Sequence, residues 1–219
     1  EGETLVNALD GVSLSLNEGR IYVILGPSGS GKSTLLNMIG GLDSLDSGEI
    51  MIADRNISGS DKKKLIDYRR EDVGFVFQFY NLIPDLTVQE NIEVVSDISK
   101  NPLDIEEVMT ALDIEKYRNR FPKELSGGQQ QRAAIARALI KNPKILLCDE
   151  LTGALDSKSS RSVLKFIEKI NEQFKTTIII ITHNEAIADM ADSVIRIKDG
   201  RIADYTENSH KLSAEELAL

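Results

Sequence analysis

Short apolar runs, rich in β-branched residues, recur along the chain between stretches in which apolar residues repeat with a helical period. Several runs are apolar at consecutive positions, which is typical of strands buried on both faces of a sheet. The pattern predicts strands over residues 21–25, 48–52, 73–77, 144–148, 177–182 and 193–197. It predicts helices over residues 32–39, 61–69, 105–112, 128–140, 158–174 and 185–190. Strands that alternate with helices in this way favour an α/β fold with a mainly parallel sheet.

Two segments have a different strand pattern. Apolar and polar residues alternate over residues 5–16, and residues 195–203 have the pattern of a hairpin around Asp199-Gly200. Alternation indicates a strand with one face buried, and an Asp-Gly pair favours a tight turn between two antiparallel strands. We therefore expect antiparallel strands at the edges of the sheet.

Between about residues 84 and 123 the strand signal disappears and short helical patterns follow one another. A helical stretch between two parts of a sheet is best explained as an insertion. We expect a single domain in which residues 1–83 and 124–219 form the core, while residues 84–123 form an inserted α-helical subdomain.

Composition and charge narrow the possible functions. With 219 residues, 41% of them hydrophobic, the chain fits one globular domain. Its net charge of -9 disfavours contact with a polyphosphate backbone, so we expect no nucleic-acid partner. The longest aliphatic run, residues 178–181, is far shorter than the roughly 18 apolar residues of a membrane-spanning helix. The single cysteine, Cys148, is interpreted as a buried core residue, and a lone thiol suits the cytosol.

The strongest chemical signal is a glycine-rich loop between the first predicted strand and the first predicted helix. Gly26-Pro27-Ser28-Gly29-Ser30-Gly31-Lys32-Ser33 fits the P-loop pattern G-x-x-x-x-G-K-[ST] in the structural context that this motif requires. Backbone N–H groups of such a loop turn towards phosphate oxygens, and the following helix points its positive end at them. Lys32 adds a charge, Ser33 offers a Mg²⁺ ligand, and Thr34 completes the predicted binding segment. A glycine-rich turn that binds nothing is the competing interpretation.

Two acids, Asp149 and Glu150, follow the apolar run 145–148. A carboxylate at the end of a buried strand beside a P-loop suits Mg²⁺, and a second acid can orient or deprotonate an attacking water. Alternatively, the pair caps the next helix.

The segment Leu125-Ser126-Gly127-Gly128-Gln129-Gln130-Gln131-Arg132 resembles the signature motif of ATP-binding cassette (ABC) proteins. Ser126-Gly127-Gly128, here called the signature turn, opens a predicted helix and forms a second anion site without a lysine. The resemblance implies that this turn and Gln129 bind the γ-phosphate of an ATP held by the P-loop of a second copy. Two nucleotides would then lie in a head-to-tail homodimer. From the residues alone, a helix-capping turn remains possible.

The resemblance implies roles for three further residues. Gln78 resembles the glutamine that contacts Mg²⁺ and water, His183 the histidine that contacts the γ-phosphate, and Asp156 a residue that communicates between the two sites. Without the resemblance, we would expect Gln78 to face solvent and His183 to be a loop residue. Asp156 would be interpreted as a helix cap. The resemblance therefore implies the cofactors ATP and Mg²⁺. The implied catalytic residues are Glu150, His183 and Gln78; the nucleotide-binding residues are residues 26–34, Gln78, the signature turn, Gln129, Asp156 and His183; the metal ligands are Ser33, Gln78 and Asp149.

Within the family, Gly40-Gly41-Leu42-Asp43, residues 74–84 and residues 152–157 resemble the ATPase subunits of the macrolide-export, lipoprotein-release and antimicrobial-peptide-resistance group. The resemblance implies a P-loop NTPase fold at the cytoplasmic face of the cell membrane. The implied partner is an integral-membrane permease with a large extracytoplasmic domain, whose coupling helix docks on the apolar residues 79–84, here called the docking loop.

The alternative is a non-transport ABC ATPase of DNA maintenance or translation. The first class usually carries a long coiled coil between P-loop and signature, and the second has two fused cassettes. The sequence shows neither feature.

Two positions depart from the family pattern. Leu151 replaces the usual proline, so the loop from Glu150 to Asp156 lacks a fixed φ angle. Residues 1–20 contain no aromatic residue to stack on adenine. We expect the stacking residue upstream of Glu1, with Val6 as the candidate base contact in this sequence.

Overall fold

The computed structural model describes residues 7–219. In this range a six-stranded sheet has the order β4-β5-β6-β1-β7-β8, and a separate hairpin contains β2 and β3. The strands are β1 (Ile21–Leu25), β2 (Met51–Ile52), β3 (Arg55–Asn56), β4 (Val73–Val76), β5 (Ile145–Asp149), β6 (Thr177–Thr182), β7 (Ser193–Lys198) and β8 (Arg201–Glu207). The α-helices are α1 (Lys32–Ile39), α2 (Lys62–Glu71), α3 (Val88–Ser96), α4 (Ile105–Ala111), α5 (Gly127–Leu139) and α6 (Ser157–Phe174). Short 3-10 helices cover Glu115–Tyr117, Pro122–Glu124 and Glu185–Met190.

The sheet confirms the predicted α/β class. Strands β4, β5, β6, β1 and β7 are parallel, and only β8 is antiparallel to its neighbour. Successive side chains of a strand point to opposite faces. In β6, Ile178 and Ile180 therefore join the apolar cluster with α5 and α6, while Ile179 and Ile181 join the cluster with α1 and α2. Burial on both faces explains why these strands are apolar at every position.

Side-chain caps fix where several helices begin. Asp61 caps α2, Thr87 caps α3 and Asp156 caps α6, each by accepting a hydrogen bond from a backbone N–H of the first turn. The hairpin predicted around Asp199-Gly200 is confirmed by β7 and β8. The segment 185–190, predicted as a helix, is a 3-10 helix.

Two strand predictions were wrong in part. The strand expected over residues 48–52 is reduced to β2, because Gly48 and Ala53 both have positive φ and bend the chain on either side of it. No strand forms within residues 7–16 of the antiparallel edge predicted over 5–16, and residues 5 and 6 lie outside the described range. The alternation nevertheless has a physical basis, since Leu9, Val12 and the following leucines pack against the sheet.

The stretch predicted to be helical, residues 84–123, contains α3, α4 and two of the 3-10 helices. Its apolar residues, among them Val108, Met109 and Leu112, belong to the same buried cluster as Ile178 of the sheet. The helical character of the stretch is confirmed. The division of the chain into a core and a subdomain remains a prediction.

Candidate functional site

Residues that follow four parallel strands meet at one edge of the sheet. The carboxyl ends of parallel strands lie at the same edge, where α/β proteins place their ligands. Strand β1 continues into Gly26, β5 ends at Asp149, β6 ends directly before His183, and β4 ends two residues before Gln78. The fold therefore gathers the P-loop, both acids, the glutamine and the histidine from distant parts of the sequence.

Two P-loop positions require glycine. Gly26 and Gly31 have φ angles of 159° and 102°. A Cβ atom would lie 2.2 Å from the Ile197 carbonyl oxygen at Gly26 and 2.4 Å from the Ala8 carbonyl oxygen at Gly31. Neither backbone oxygen leaves room for a side chain, so these glycines let the loop turn tightly between β1 and α1.

The polar groups of the P-loop fit an anion. Ser30 is 4% exposed, and its hydroxyl has no hydrogen-bond partner among residues 7–219. The Lys32 ammonium donates to the carbonyl oxygens of Gly26 (2.7 Å) and Pro27 (2.8 Å). Helix α1 begins after Gly31 without a side-chain cap, so its first N–H groups are left for another acceptor. An unpaired buried hydroxyl, an ammonium group and an uncapped helix end together suit a phosphate chain.

Asp149 lies where a cation would be favourable. Burial raises the pKa of its carboxyl, the charge of Glu150 raises it further, and the charge of Lys32 lowers it. No group of three or more His, Cys, Asp or Glu side chains within residues 7–219 could hold a metal by itself. Mg²⁺ suits such a place because it binds one or two protein oxygens together with substrate phosphates and water. Asp149 and the exposed Ser33 are the residues that would hold it.

Glu150 and His183 contact each other across neighbouring strands. Glu150 Oε1 lies 3.0 Å from His183 Nδ1, and the Thr182 hydroxyl is 3.5 Å from Glu150 Oε2. The Glu150 side chain is 22% exposed and that of His183 is 73% exposed. A mostly shielded carboxylate that is oriented by an exposed imidazole can accept a proton from a bound water.

Gln78 lies beside the loop that follows Glu150. A Cβ atom on Gly153 would be 3.1 Å from Gln78 Nε2, so the glutamine amide packs on the backbone of that loop. The Gly153 N–H also donates to the Glu150 carbonyl oxygen at 3.0 Å. The structure thus brings Gln78 to the same loop as the acid pair.

The signature turn lies at the beginning of α5. Ser126 caps α5 in a reciprocal capping box with Gln129, and within residues 7–219 no hydrogen bond joins the turn to the P-loop. Ser126 is exposed, while Gly128 lies next to Ser159 of α6. Within the described residues, the turn is therefore not bound to the P-loop of its own chain, and Ser126 is open to solvent.

Asp156 is a helix cap in this structure. Its carboxylate accepts hydrogen bonds from the Ser159 N–H (2.9 Å) and the Ser159 hydroxyl (2.8 Å), which lower the pKa of the Asp156 carboxyl. This is the local role that the sequence left open. A role in communication between two nucleotide sites stays a prediction, and Val6, the candidate base contact, lies outside the described residues.

The docking loop is partly exposed, as expected. Phe79 is 73% exposed and Ile83 is 40% exposed, whereas Tyr80 and Leu82 are partly buried. Leu82 packs against the main apolar cluster. The apolar surface of the loop is therefore formed by Phe79 and Ile83.

Sequence analysis missed two residues that shape this loop. Arg137 of α5 donates to the backbone carbonyls of Tyr80 and Asn81, and the fully buried Asn91 of α3 bonds both backbone groups of Ile83. Asn91 could have been found as a polar residue on the apolar face of α3. Arg137 has no such signal, because an arginine in an amphipathic helix usually faces solvent.

A cavity of about 490 Å³ lies far from the acid pair along the strands. Its lining includes Leu9, Met38 and Ile50, and it reaches Ile145 and Thr177, the first residues of β5 and β6. It is therefore at the amino edge of the sheet, opposite the P-loop, and its lining combines apolar residues with charged ones such as Asp46, Glu49 and Lys144.

Comparison with known proteins gives one consistent result. A model of the family described as ABC transporter matches residues 9–153. A putative ABC transporter ATP-binding protein of Mycoplasma pneumoniae is 46% identical over 197 residues, which cover 89% of this chain and 58% of that protein. The bacitracin export ATP-binding protein BceA of Halalkalibacterium halodurans is 41% identical, with coverage of 91% and 80%. The macrolide export ATP-binding/permease protein MacB of Pasteurella multocida is 42% identical, with coverage of 99% and 34%.

A solved structure agrees with the fold. The ATP-binding cassette MJ0796, in a dimeric post-hydrolysis state bound to ADP and Pi, has a TM-score of 0.83 to this chain at 40% identity. The match covers 94% of this chain and 93% of that one. The chain spans 47% to 64% of the lengths of the four Mycoplasma relatives that it matches. Of the helices in residues 7–219, none has the length and apolar character needed to cross a membrane.

Proposed function

Because the chain belongs to the ABC transporter family of ATP-binding proteins, we propose that it hydrolyses Mg-ATP in a head-to-tail homodimer and drives a membrane permease. The observation that carries this proposal is the carboxyl edge of the sheet, where the charge of Lys32 acts on Asp149, next to Glu150, and where the Ser30 hydroxyl of the P-loop has no partner within residues 7–219. Phosphate binding and water activation need these two kinds of group in one place.

Each residue of the site has a separate role in phosphate binding, metal binding or proton transfer. The P-loop N–H groups and Lys32 bind the phosphates and neutralise their charge, with Ser33 and Asp149 as ligands of Mg²⁺. Bound Mg²⁺ supplies charge neutralisation at the phosphate oxygens. Glu150 accepts the proton of the attacking water, and His183 holds the Glu150 carboxylate in place through their 3.0 Å contact. Gln78, which packs on the backbone of the loop after Glu150, would contact the water and the cation.

The homodimer follows from the position of the signature turn. The turn has an exposed Ser126 and no hydrogen bond to the P-loop within residues 7–219, so it suits the nucleotide of a second copy. The MJ0796 cassette, dimeric in a post-hydrolysis state bound to ADP and Pi, supports a dimer. Nucleotide is then part of the interface, and dimerisation depends on ATP.

The permease is the partner of the docking loop. The exposed side chains of Phe79 and Ile83 offer a small apolar surface to a short amphipathic helix. When two copies of the chain bind one transporter, the overall affinity is higher than that of either single contact. BceA is named a bacitracin export ATP-binding protein and MacB a macrolide export ATP-binding/permease protein, and both names support a permease that exports its cargo. A large extracytoplasmic domain of that permease, and a position of this chain at the cytoplasmic face of the membrane, are further parts of the proposal. Nothing in the described structure favours the alternative of DNA maintenance or translation.

The test measures phosphate release from ATP by the purified protein with Mg²⁺ and with EDTA, and light scattering with and without ATP. We expect hydrolysis that needs Mg²⁺ and a monomer that dimerises on ATP. A protein that hydrolyses no ATP with Mg²⁺, either alone or together with the permease that co-purifies with it, would contradict the proposal.

A further inference from the structure

The turn between β7 and β8 lies against the P-loop. In this turn the backbone N–H of Gly200 donates a hydrogen bond to the Ser30 carbonyl oxygen at 3.0 Å. Strand β7 also touches the first residue of the loop, since a Cβ atom on Gly26 would lie 2.2 Å from the Ile197 carbonyl oxygen. The hairpin of β7 and β8 therefore contacts the P-loop at two places.

The hydrogen bond to Ser30 fixes the direction of the next N–H group in the P-loop. The peptide bond between Ser30 and Gly31 is trans, and in a trans peptide the C=O and N–H groups point in opposite directions. Because the Ser30 carbonyl points at Gly200, the Gly31 N–H points away from the hairpin. Within residues 7–219 the Gly31 N–H donates to no acceptor, whereas the Ser30 N–H donates to the Pro27 carbonyl oxygen at 3.2 Å. The Gly31 N–H is thus oriented and left for a phosphate oxygen.

Gly200 is itself held in place from a second side. Its carbonyl oxygen accepts a hydrogen bond from the Asp10 N–H at 2.8 Å. Its φ angle is 73°, and a Cβ atom would lie 2.9 Å from the Ala8 carbonyl oxygen and 3.2 Å from that of Asn7. Only glycine combines this backbone conformation with so close an approach of the segment 7–10. Both backbone groups of the buried Gly200 are therefore used, one by the P-loop and one by the segment 7–10.

We propose that Gly200 is a positioning residue for the nucleotide. Its N–H orients the peptide between Ser30 and Gly31, so that the Gly31 N–H meets a phosphate oxygen of ATP. This contact is made before the reaction and during it alike, so it strengthens nucleotide binding and leaves the chemical step unchanged. The inference rests on the proposed function and adds to it a residue that lies far outside the glycine-rich motif.

The first test measures steady-state ATP hydrolysis with Mg²⁺ by Gly200→Ala and by the matched control Gly59→Ala. Gly59 has a φ angle of 64°, and a Cβ atom there would meet nothing within 4 Å, so the control has similar backbone strain without the close contact. We expect Gly200→Ala to raise KM about tenfold, as for the loss of one hydrogen bond to a charged group, with kcat unchanged. Gly59→Ala should keep the KM of the parent.

A purely structural role of Gly200 would give a different result. It would lower the folded fraction, and hence kcat per mole of protein, while the remaining folded molecules kept the KM of the parent. That result, or equal KM values for the two variants, would overturn the inference. A parent protein that neither binds nor hydrolyses ATP would instead contradict the proposed function.

The second test removes only the hydrogen-bond donor, and it decides the question if Gly200→Ala fails to fold. Glycolic acid in place of Gly200, introduced by suppression of a stop codon, replaces the N–H with an ester oxygen and adds no side chain. Titration with ATP should show an affinity about tenfold lower than that of the parent. The control is glycolic acid in place of Gly59, whose N–H donates to no group within residues 7–219, and it should bind ATP like the parent. Equal ATP affinity of the two ester proteins would overturn the role of Gly200.

Discussion

Glu150 has a left-handed backbone conformation, with φ of 49°, directly before Leu151, whose side chain is 2% exposed in the main apolar cluster. A residue that precedes proline is pushed towards extended conformations, so a proline at 151 would oppose this geometry. A leucine permits it and also anchors the loop by burial. At this position, burial of the leucine side chain takes the place of the fixed φ angle that a proline would supply.

We expect Leu151→Pro to destabilise the protein by about 2 kcal/mol or more, because it removes buried apolar contacts and strains Glu150. Leu151→Met, which keeps the volume, should cost about 1 kcal/mol or less. Urea unfolding measures both. A proline variant as stable as the parent would show that the leucine side chain does not anchor the loop.

Replacing Lys32 with alanine should abolish tight ATP binding, because the P-loop loses its side-chain cation and the two hydrogen bonds to its own carbonyls. Mg-ATP titration of the purified protein measures the dissociation constant. Lys63→Ala, an exposed lysine of α2, is the control and should bind ATP like the parent. An unchanged constant for Lys32→Ala would remove the P-loop from the proposed site.

Glu150→Gln should bind ATP but lower turnover by about a hundredfold or more, because an amide can hold water and cannot accept its proton. It should also accumulate an ATP-bound dimer, visible by light scattering. Phosphate release in single-turnover conditions separates binding from chemistry. If the variant hydrolyses ATP at the parent rate, the proton acceptor must be another group, with His183 as the next candidate.

Replacing both Phe79 and Ile83 with aspartate should leave ATP binding intact and abolish co-purification with the permease. An exposed carboxylate is well solvated in water, whereas burying it in an apolar interface costs several kcal/mol. Aspartate at Tyr80 and Leu82 should instead destabilise the domain, since both side chains are partly buried. Thermal unfolding and permease capture distinguish the pairs. Normal capture by the Phe79 and Ile83 variant would place the docking surface elsewhere.

Stability should rise with pH above about 8 because of Lys141. Burial lowers the pKa of its ammonium from 10.5 to about 8. Between these values the unfolded chain binds the proton that the folded chain has lost, so the free energy of unfolding increases with pH by up to about 3 kcal/mol. Urea unfolding from pH 7.5 to 10 should show this slope in the parent and lose it in Lys141→Met. The exposed Lys144→Met serves as control and should keep the slope.

The sequence by itself determined the parts of the protein that depend on neighbours along the chain. Consecutive apolar residues specify strands such as β6, because both faces of the sheet are covered. The P-loop could be recognised because its glycines, Lys32 and Ser33 form one short segment whose backbone does the binding. The signature motif is also one continuous segment, so it and the family could be recognised from the sequence.

Only the tertiary structure decided which distant residues meet. Glu150 and His183 are 33 positions apart and contact each other because β5 and β6 are neighbours in the sheet. Arg137 donates a hydrogen bond to the Asn81 carbonyl oxygen, 56 positions away in the sequence. Neither the residue types nor the helical period of the sequence predicts this contact. Alternation over residues 7–16 likewise correctly marked the side chains that pack on the sheet, but a strand also needs a partner backbone in register. Local patterns report which side of a segment is buried, whereas the identity of the covering partner depends on how the chain returns through space.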